Sequence, residues 1–233
     1  MKIHPIRAFS DNYIWVIEKD NKAVVVDPGE GPQVMDYLAA TNLDLQAILL
    51  THNHDDHIGG VLEIYEEYPD IPIFGPDETE PLVTDTVKEG DSFEVLGETF
   101  EVFLTAGHTE GHISYLMGEN LFCGDALFSG GCGRVFTGDY QAQFDALQKF
   151  KQLKDAVKVY AAHEYTVTNL NFALTVEPNN EVIQEALGEM KDKRAKDEST
   201  LPSTIGREKE INLFLQADSV EVFKVLRDQR DQF

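Results

Sequence analysis

The sequence predicts a layered α/β fold followed by a short helical C-terminal segment, on three observations. Short apolar runs rich in β-branched residues recur at 14–17, 23–26 and 47–50, a length suited to buried strands. Stretches with helical spacing separate later runs of the same kind, an alternation that stacks helices against sheets. Beyond about residue 166 the strand runs stop and amphipathic helical patterns take over.

Taken in order, Ile14-Trp15-Val16-Ile17 and Ala23-Val24-Val25-Val26 flank the polar turn Lys19-Asp20-Asn21 and predict a hairpin, which Asp27-Pro28-Gly29 ends. Val34 to Ala40 carries helical spacing and leads into the strand at 47–50. Residues 58–68 predict one helix closed by Pro69. Further strands are expected at 71–74, 99–104, 113–117 and 157–161, with a helix near 140–153. The tail predicts helices over 179–198 and 219–232 around the turn Leu201-Pro202-Ser203-Thr204. The division that follows is 1–166 for the layered domain and 167–233 for the helical one.

Composition narrows the function classes. The 233 residues suffice for a substantial core. Forty-two acidic against 19 basic side chains give a net charge of −23, which repels nucleic acid phosphates, so no nucleic acid partner is expected. No apolar run is long enough to span a membrane, and Met1-Lys2-Ile3-His4-Pro5 lacks the apolar core of a signal peptide. Two cysteines, Cys123 and Cys132, do not make a disulfide scaffold. A cytoplasmic monomer without a membrane partner is the expectation.

The chemistry concentrates in loops after strands. His52-Asn53-His54-Asp55-Asp56-His57 follows Ala47-Ile48-Leu49-Leu50 and packs imidazoles and carboxylates, the ligands of zinc, iron and manganese, into six residues. Gly107-His108-Thr109-Glu110-Gly111-His112, Cys123-Gly124-Asp125 and Ala161-Ala162-His163-Glu164 each place a His or Asp just beyond another apolar run. A lone histidine after a strand is more often a hydrogen-bonded structural residue. Here six of the seven histidines fall in such loops and only His4 does not, and that concentration points to a metal centre built from strand ends.

Thr51-His52-x-His54-x-Asp56-His57, then Gly107-His108-Thr109-x-Gly111-His112, then Asp125 and His163, resembles the metallo-β-lactamase superfamily. The resemblance implies an αββα sandwich carrying two divalent metal ions, zinc first, with iron or manganese compatible. It implies that His52, His54 and His108 bind one metal, that Asp56, His57 and His163 bind the other, and that Asp125 bridges them. Asp55 falls off the pattern, and His112 is expected either to support the metal shell or to be purely structural. Phe9-Ser10-Asp11-Asn12-Tyr13, Leu127 to Arg134, His163-Glu164-Tyr165-Thr166, Asn169-Leu170-x-Phe172-Ala173 and Leu201-Pro202-Ser203-Thr204 further resemble the glyoxalase II family.

That narrower resemblance implies hydrolysis of S-(2-hydroxyacyl)glutathione thioesters, such as S-D-lactoylglutathione, the second step of methylglyoxal detoxification. A metal-bridging hydroxide held by Asp56 and Asp125 would attack the thioester carbonyl. Arg134, Phe136 and Tyr165 match the family's substrate contacts, and Arg134 is the one Lys or Arg between Lys88 and Lys149. The tail departs from the pattern: Gln216 follows Asn212-Leu213-Phe214-Leu215 where the family commonly has arginine, and Ala217-Asp218-Ser219 lacks a lysine expected nearby. Ala106 also stands where proline usually precedes Gly107. The glycine carboxylate of glutathione would then need another anchor, such as Arg207, or the carrier would be another thiol. An iron-dependent glutathione persulfide dioxygenase is the alternative enzyme, disfavoured by the complete second-metal set.

Overall fold

The computed structural model describes all residues, 1–233. In chain order it runs β1 (Lys2–Ala8), β2 (Asn12–Lys19), β3 (Lys22–Val26), α1 (Gly31–Thr41), β4 (Asp44–Leu49), α2 (Asp55–Ile58), α3 (Val61–Glu67), β5 (Ile73–Gly75), β6 (Asp85–Thr86), β7 (Ser92–Val95), β8 (Glu98–Leu104) and β9 (Ile113–Met117). There follow β10 (Asn120–Gly124), α4 (Tyr140–Lys151), β11 (Lys158–Ala161), α5 (Thr166–Val176), α6 (Glu181–Ala195), β12 (Ser203–Thr204), α7 (Ile205–Ile211), α8 (Leu213–Gln216) and α9 (Val220–Asp231). The strands fall into two six-stranded sheets. Contacts divide the chain into two compact units: Met1–Leu104 with Gly111–Gly118, and Thr105–Glu110 with Glu119–Phe233.

In the first unit the β2–β3 hairpin closes through Asp20 and Asn21, both at positive φ, the backbone that a two-residue turn with the strands' own twist requires. β3 and β4 run parallel, joined by α1, which has proline in its first turn and ends on Asn42 in the left-handed region. Ile14, Val16, Val25, Val34, Leu38, Ile48 and Ile64 make one buried cluster from β2, β3, β4, α1 and α3. The ring of Phe93 on β7 stacks on Phe74 of β5 at 4.0 Å between centroids and on Phe100 of β8 at 5.3 Å. Tyr115 of β9 donates its hydroxyl to Leu50 O at 2.7 Å, next to the end of β4. Burial pushes the Tyr115 phenol well above its ordinary pKa, so it stays a donor.

The single helix expected over 58–68 is instead two, α2 and α3. Gly59 and Gly60 interrupt them because the chain passes directly against residues 28–31. Gly60 N–H donates to Pro28 O at 2.9 Å, and a Cβ on Gly60 would lie 2.3 Å from Gly31 N. Sequence reading also passed over β1, whose Pro5 is tolerated because the strand pairs only with β2, at the sheet edge.

In the second unit β10 pairs parallel with β11, and β11 antiparallel with the short β12. Phe122, Phe150, Phe172, Phe214 and Phe223 are its largest fully buried rings, with Phe214 meeting both Phe172 and Phe223 near 6 Å. α5 was not foreseen as a helix, since its Thr- and Val-rich sequence favours strands until it is packed. No helix is long and apolar enough to cross a membrane.

Candidate metal and substrate site

The first unit orients its histidines from one carboxylate. Asp27 ends β3 at φ 52° and is buried. It accepts from Thr51 N at 2.8 Å, from Thr51 Oγ1 at 2.7 Å and pairs with His57 Nδ1 at 3.0 Å. Thr51 Oγ1 also meets His52 Nδ1 at 2.9 Å. A hydroxyl has one proton, and here it goes to Asp27. His52 Nδ1 must then be the N–H, which leaves the lone pair on Nε2. That Nε2 lies 3.1 Å from His54 Nδ1, two ring nitrogens converging on one region.

His57 Nε2 lies 3.5 Å from Asp56 Oδ2, and Asn12 Nδ2 holds the same oxygen at 2.8 Å. Donor atoms of Asp27, His52 and His57 lie within 4.8 Å of one another, but both Asp27 oxygens already accept hydrogen bonds, so it reads as the support behind the histidines. His112 is buried and stacks on His52 at 4.7 Å and 27°, bracing its ring. Asp55 is exposed on α2.

The second unit gathers a His/Asp group of its own. His108 Nδ1 donates to Arg134 O at 2.8 Å, so its Nε2 carries the lone pair and lies 3.3 Å from Asp125 Oδ2. His163 Nε2 lies 3.3 Å from the other oxygen, Oδ1. One carboxylate thus has a separate imidazole on each oxygen, and all three residues are buried. Gly133 N–H holds Asp125 O at 2.9 Å, and a Cβ there would lie 2.2 Å from that oxygen and 2.8 Å from His108 Nδ1. Only glycine allows that approach.

Beside these side chains stand the residues expected to meet substrate. Tyr165 stacks on His163 at 4.8 Å, and Phe128 packs edge-on to both rings. Phe136 is 62% exposed yet sits edge-on to His108 at 5.3 Å, with the Arg134 guanidinium 5.8 Å from its ring centre. Arg134 Nε pairs with Asp231 Oδ1 at 3.2 Å. Arg227 Nη2 reaches the same oxygen at 2.9 Å, while its Nη1 donates to Cys132 O at 2.6 Å. Arg230 donates to Asn169 Oδ1 at 3.2 Å; burial, with neighbouring Arg227 adding to it, lowers its pKa.

Arg227, Arg230 and Asp27 were missed in sequence. The three-residue spacing of the arginines places both on one face of α9, which was a readable signal. Asp27 carried none beyond ending a strand. Gln216, where a cation was sought, is taken up in holding Lys209 O at 3.0 Å.

A family model described as the metallo-beta-lactamase superfamily matches residues 8–163, and one described as the hydroxyacylglutathione hydrolase C-terminus matches residues 164–233. Hydroxyacylglutathione hydrolases of Haemophilus ducreyi and Glaesserella parasuis are 50% and 51% identical to it over 234 residues, covering 100% of both chains. The chain belongs to the hydroxyacylglutathione hydrolase family. Among solved structures, ETHE1 from Myxococcus xanthus is similar with a TM-score of 0.75 at 25% identity, over 98% of this chain and 90% of that one. TTHA1623 in a di-iron-bound form gives 0.66 at 24% identity, over 91% and 99%, a likeness of fold alone. The α/β sandwich with a C-terminal helical segment is therefore the family's fold, as expected. The His and Asp groups on that fold suit divalent metal ions.

Proposed function

We propose that this chain hydrolyses S-(2-hydroxyacyl)glutathione thioesters, S-D-lactoylglutathione among them, to glutathione and the hydroxy acid. The observation that carries the reading is Asp125 with His108 and His163 on its two oxygens, the arrangement a carboxylate shared by two cations needs. His52, His54 and His108 would hold one cation and Asp56, His57 and His163 the other, with Asp125 common to both. The donor chemistry fits: Thr51, Asp27 and Arg134 O each take an Nδ1 proton, which leaves Nε2 of His52, His57 and His108 as ligand atoms. Zinc is the metal proposed. Bound there, two such ions would supply a water whose pKa falls from 15.7 towards about 7 and would polarise the thioester carbonyl.

The chain's own residues do the rest. Asp56 and Asp125 give the cations negative charge, and Asn12 fixes the Asp56 carboxylate. Phe136 and Tyr165 flank the histidines as apolar walls. Arg134, with Arg230 on α9, offers the carboxylate anchor that Gln216 does not, locally offsetting a net charge of −23, while buried Arg227 holds Cys132 O and Asp231. The leaving group is a thiolate whose conjugate thiol has a pKa of about 8.5, so it departs without a general acid. The functional boundary is placed at 166/167, and the buried free thiols Cys123 and Cys132 suit a monomer in the reducing cytoplasm.

The test is turnover of S-D-lactoylglutathione by protein loaded with zinc, iron or manganese, beside Arg134→Ala. Hydrolysis is expected, with KM raised about tenfold and kcat little changed in the variant, the loss of one charge-assisted contact. No thiol release by any metal form would sink the reading.

A further inference from the structure

Between β10 and α4 the chain forms a loop, residues 127–134, that ends in Gly133 and Arg134. Almost nothing in that loop bonds to its own backbone except the reciprocal Phe128 and Gly131 pair. Its far end is held by Asp125 O on Gly133 N–H and by His108 on Arg134 O, and its first part by side chains from the helical segment. Asn169 Nδ2 donates to Ser129 O at 3.1 Å, Asn212 Nδ2 to Phe128 O and Gly131 O at 3.1 and 2.9 Å, and Arg227 to Cys132 O.

The one carboxylate among these holders is Glu208 of α7, and it is fully buried. It accepts from Gly130 N at 2.7 Å, Ser129 Oγ at 2.8 Å, Asn212 Nδ2 at 3.1 Å and Ser203 Oγ. Burial pushes its carboxyl pKa up, and the four donors pull it back. A buried charge is a costly way to fill space, since an apolar side chain of similar volume often stabilises as well or better. Its use here lies in what it fixes. The loop leaves Gly130 at φ 69° and reaches Arg134 four residues later, whose carbonyl holds His108 and whose guanidinium shares Asp231 with Arg227.

We propose that Glu208 is a positioning residue for substrate binding: by fixing the Ser129–Gly130 turn it sets where Arg134 presents its charge. The inference rests on the thioester hydrolase reading above. It goes beyond that reading by assigning the anchoring geometry to a side chain that touches no substrate.

The variants are Glu208→Ala, Glu208→Gln and Glu208→Asp, each also made with Arg134→Ala, metal-loaded and assayed on S-D-lactoylglutathione. Glu208→Ala leaves the turn unheld, and KM is expected to rise about tenfold with kcat and metal content little changed. Glu208→Gln can turn its oxygen to Gly130 and Asn212 while its amide donates to the two serine hydroxyls, so KM returns to within about threefold of wild type. If Glu208→Ala does not fold, Glu208→Asp, which keeps the charge but is one methylene short, carries the same expected rise. Because Glu208 acts through Arg134, neither variant raises KM further in the Arg134→Ala background.

Three outcomes overturn the proposal. One is an unchanged KM with kcat falling in step with the folded fraction. Another is a KM rise of equal size with Arg134 absent, and the third is a Gln variant as impaired as Ala. If the wild type itself releases no thiol, the hydrolase reading fails instead, which the two data sets tell apart.

Discussion

At Asp27 one side chain serves three partners, and the metal loop depends on all three. Its two oxygens take the Thr51 amide, the Thr51 hydroxyl and His57 Nδ1, so that Nε2 of both His52 and His57 is left for a cation. Asp27→Asn keeps the shape but replaces one acceptor oxygen with an amide donor facing donors. Metal affinity is expected to fall by about 10- to 100-fold, the usual cost of losing such an outer partner. Competition with a chelator measures it, and unchanged retention would show that the histidines are oriented without the Asp27 carboxylate. Residue identity at His52 to His57 was readable from sequence because ligand types crowd together there. Asp27 was not, because a lone aspartate ending a strand looks like any turn residue.

At the scale of elements, the His and Asp groups stand beyond strand ends held by aromatic packing. Tyr160 of β11 stacks on Phe122 of β10 at 5.0 Å and 21°, three residues before His163 and Asp125 respectively, which lie just beyond the two strand ends. Burial raises its phenol pKa to about 12. A raised pKa in the folded state means the neutral form contributes stability below the unfolded value near 10. That contribution is lost as pH climbs through the window from about 10 to about 12. Tyr160→Phe should flatten the alkaline fall of Tm across that window, as a series of melts at rising pH would show; an unaltered slope would assign the fall to other groups. The break between α2 and α3 belongs to this scale too. Periodicity over 58–68 was helical, but Gly59 and Gly60 are spent on approach to residues 28–31, which no local pattern announces.

For the whole molecule, 42 acids against 19 bases make the folded state repel itself. Screening shortens that repulsion to about 3 Å at 1 M salt, from about 10 Å at 0.1 M. Melting temperature should therefore rise with sodium chloride in protein stripped of metal, where no cation offsets the acidic loops. A Tm indifferent to salt would mean the charges are already paired. Restoring metal should raise Tm further, by an amount that grows with the logarithm of free metal over its dissociation constant.

The sequence by itself determined the fold class, the strands that carry chemistry and the loops in which His and Asp gather. Each of these is written locally, in periodicity and in runs of His and Asp at strand ends. Tertiary structure decided what lies far apart in the chain: Asp27 behind His57, Glu208 under the 127–134 loop, and Arg227 on the Asp231 carboxylate that Arg134 shares. Residue 216 carries no cation, while α9 carries Arg227 and Arg230 and brings Arg227 to the Asp231 oxygen that Arg134 shares. A charge is placed by packing in space, and a helix can deliver it from any position along the chain that folds back.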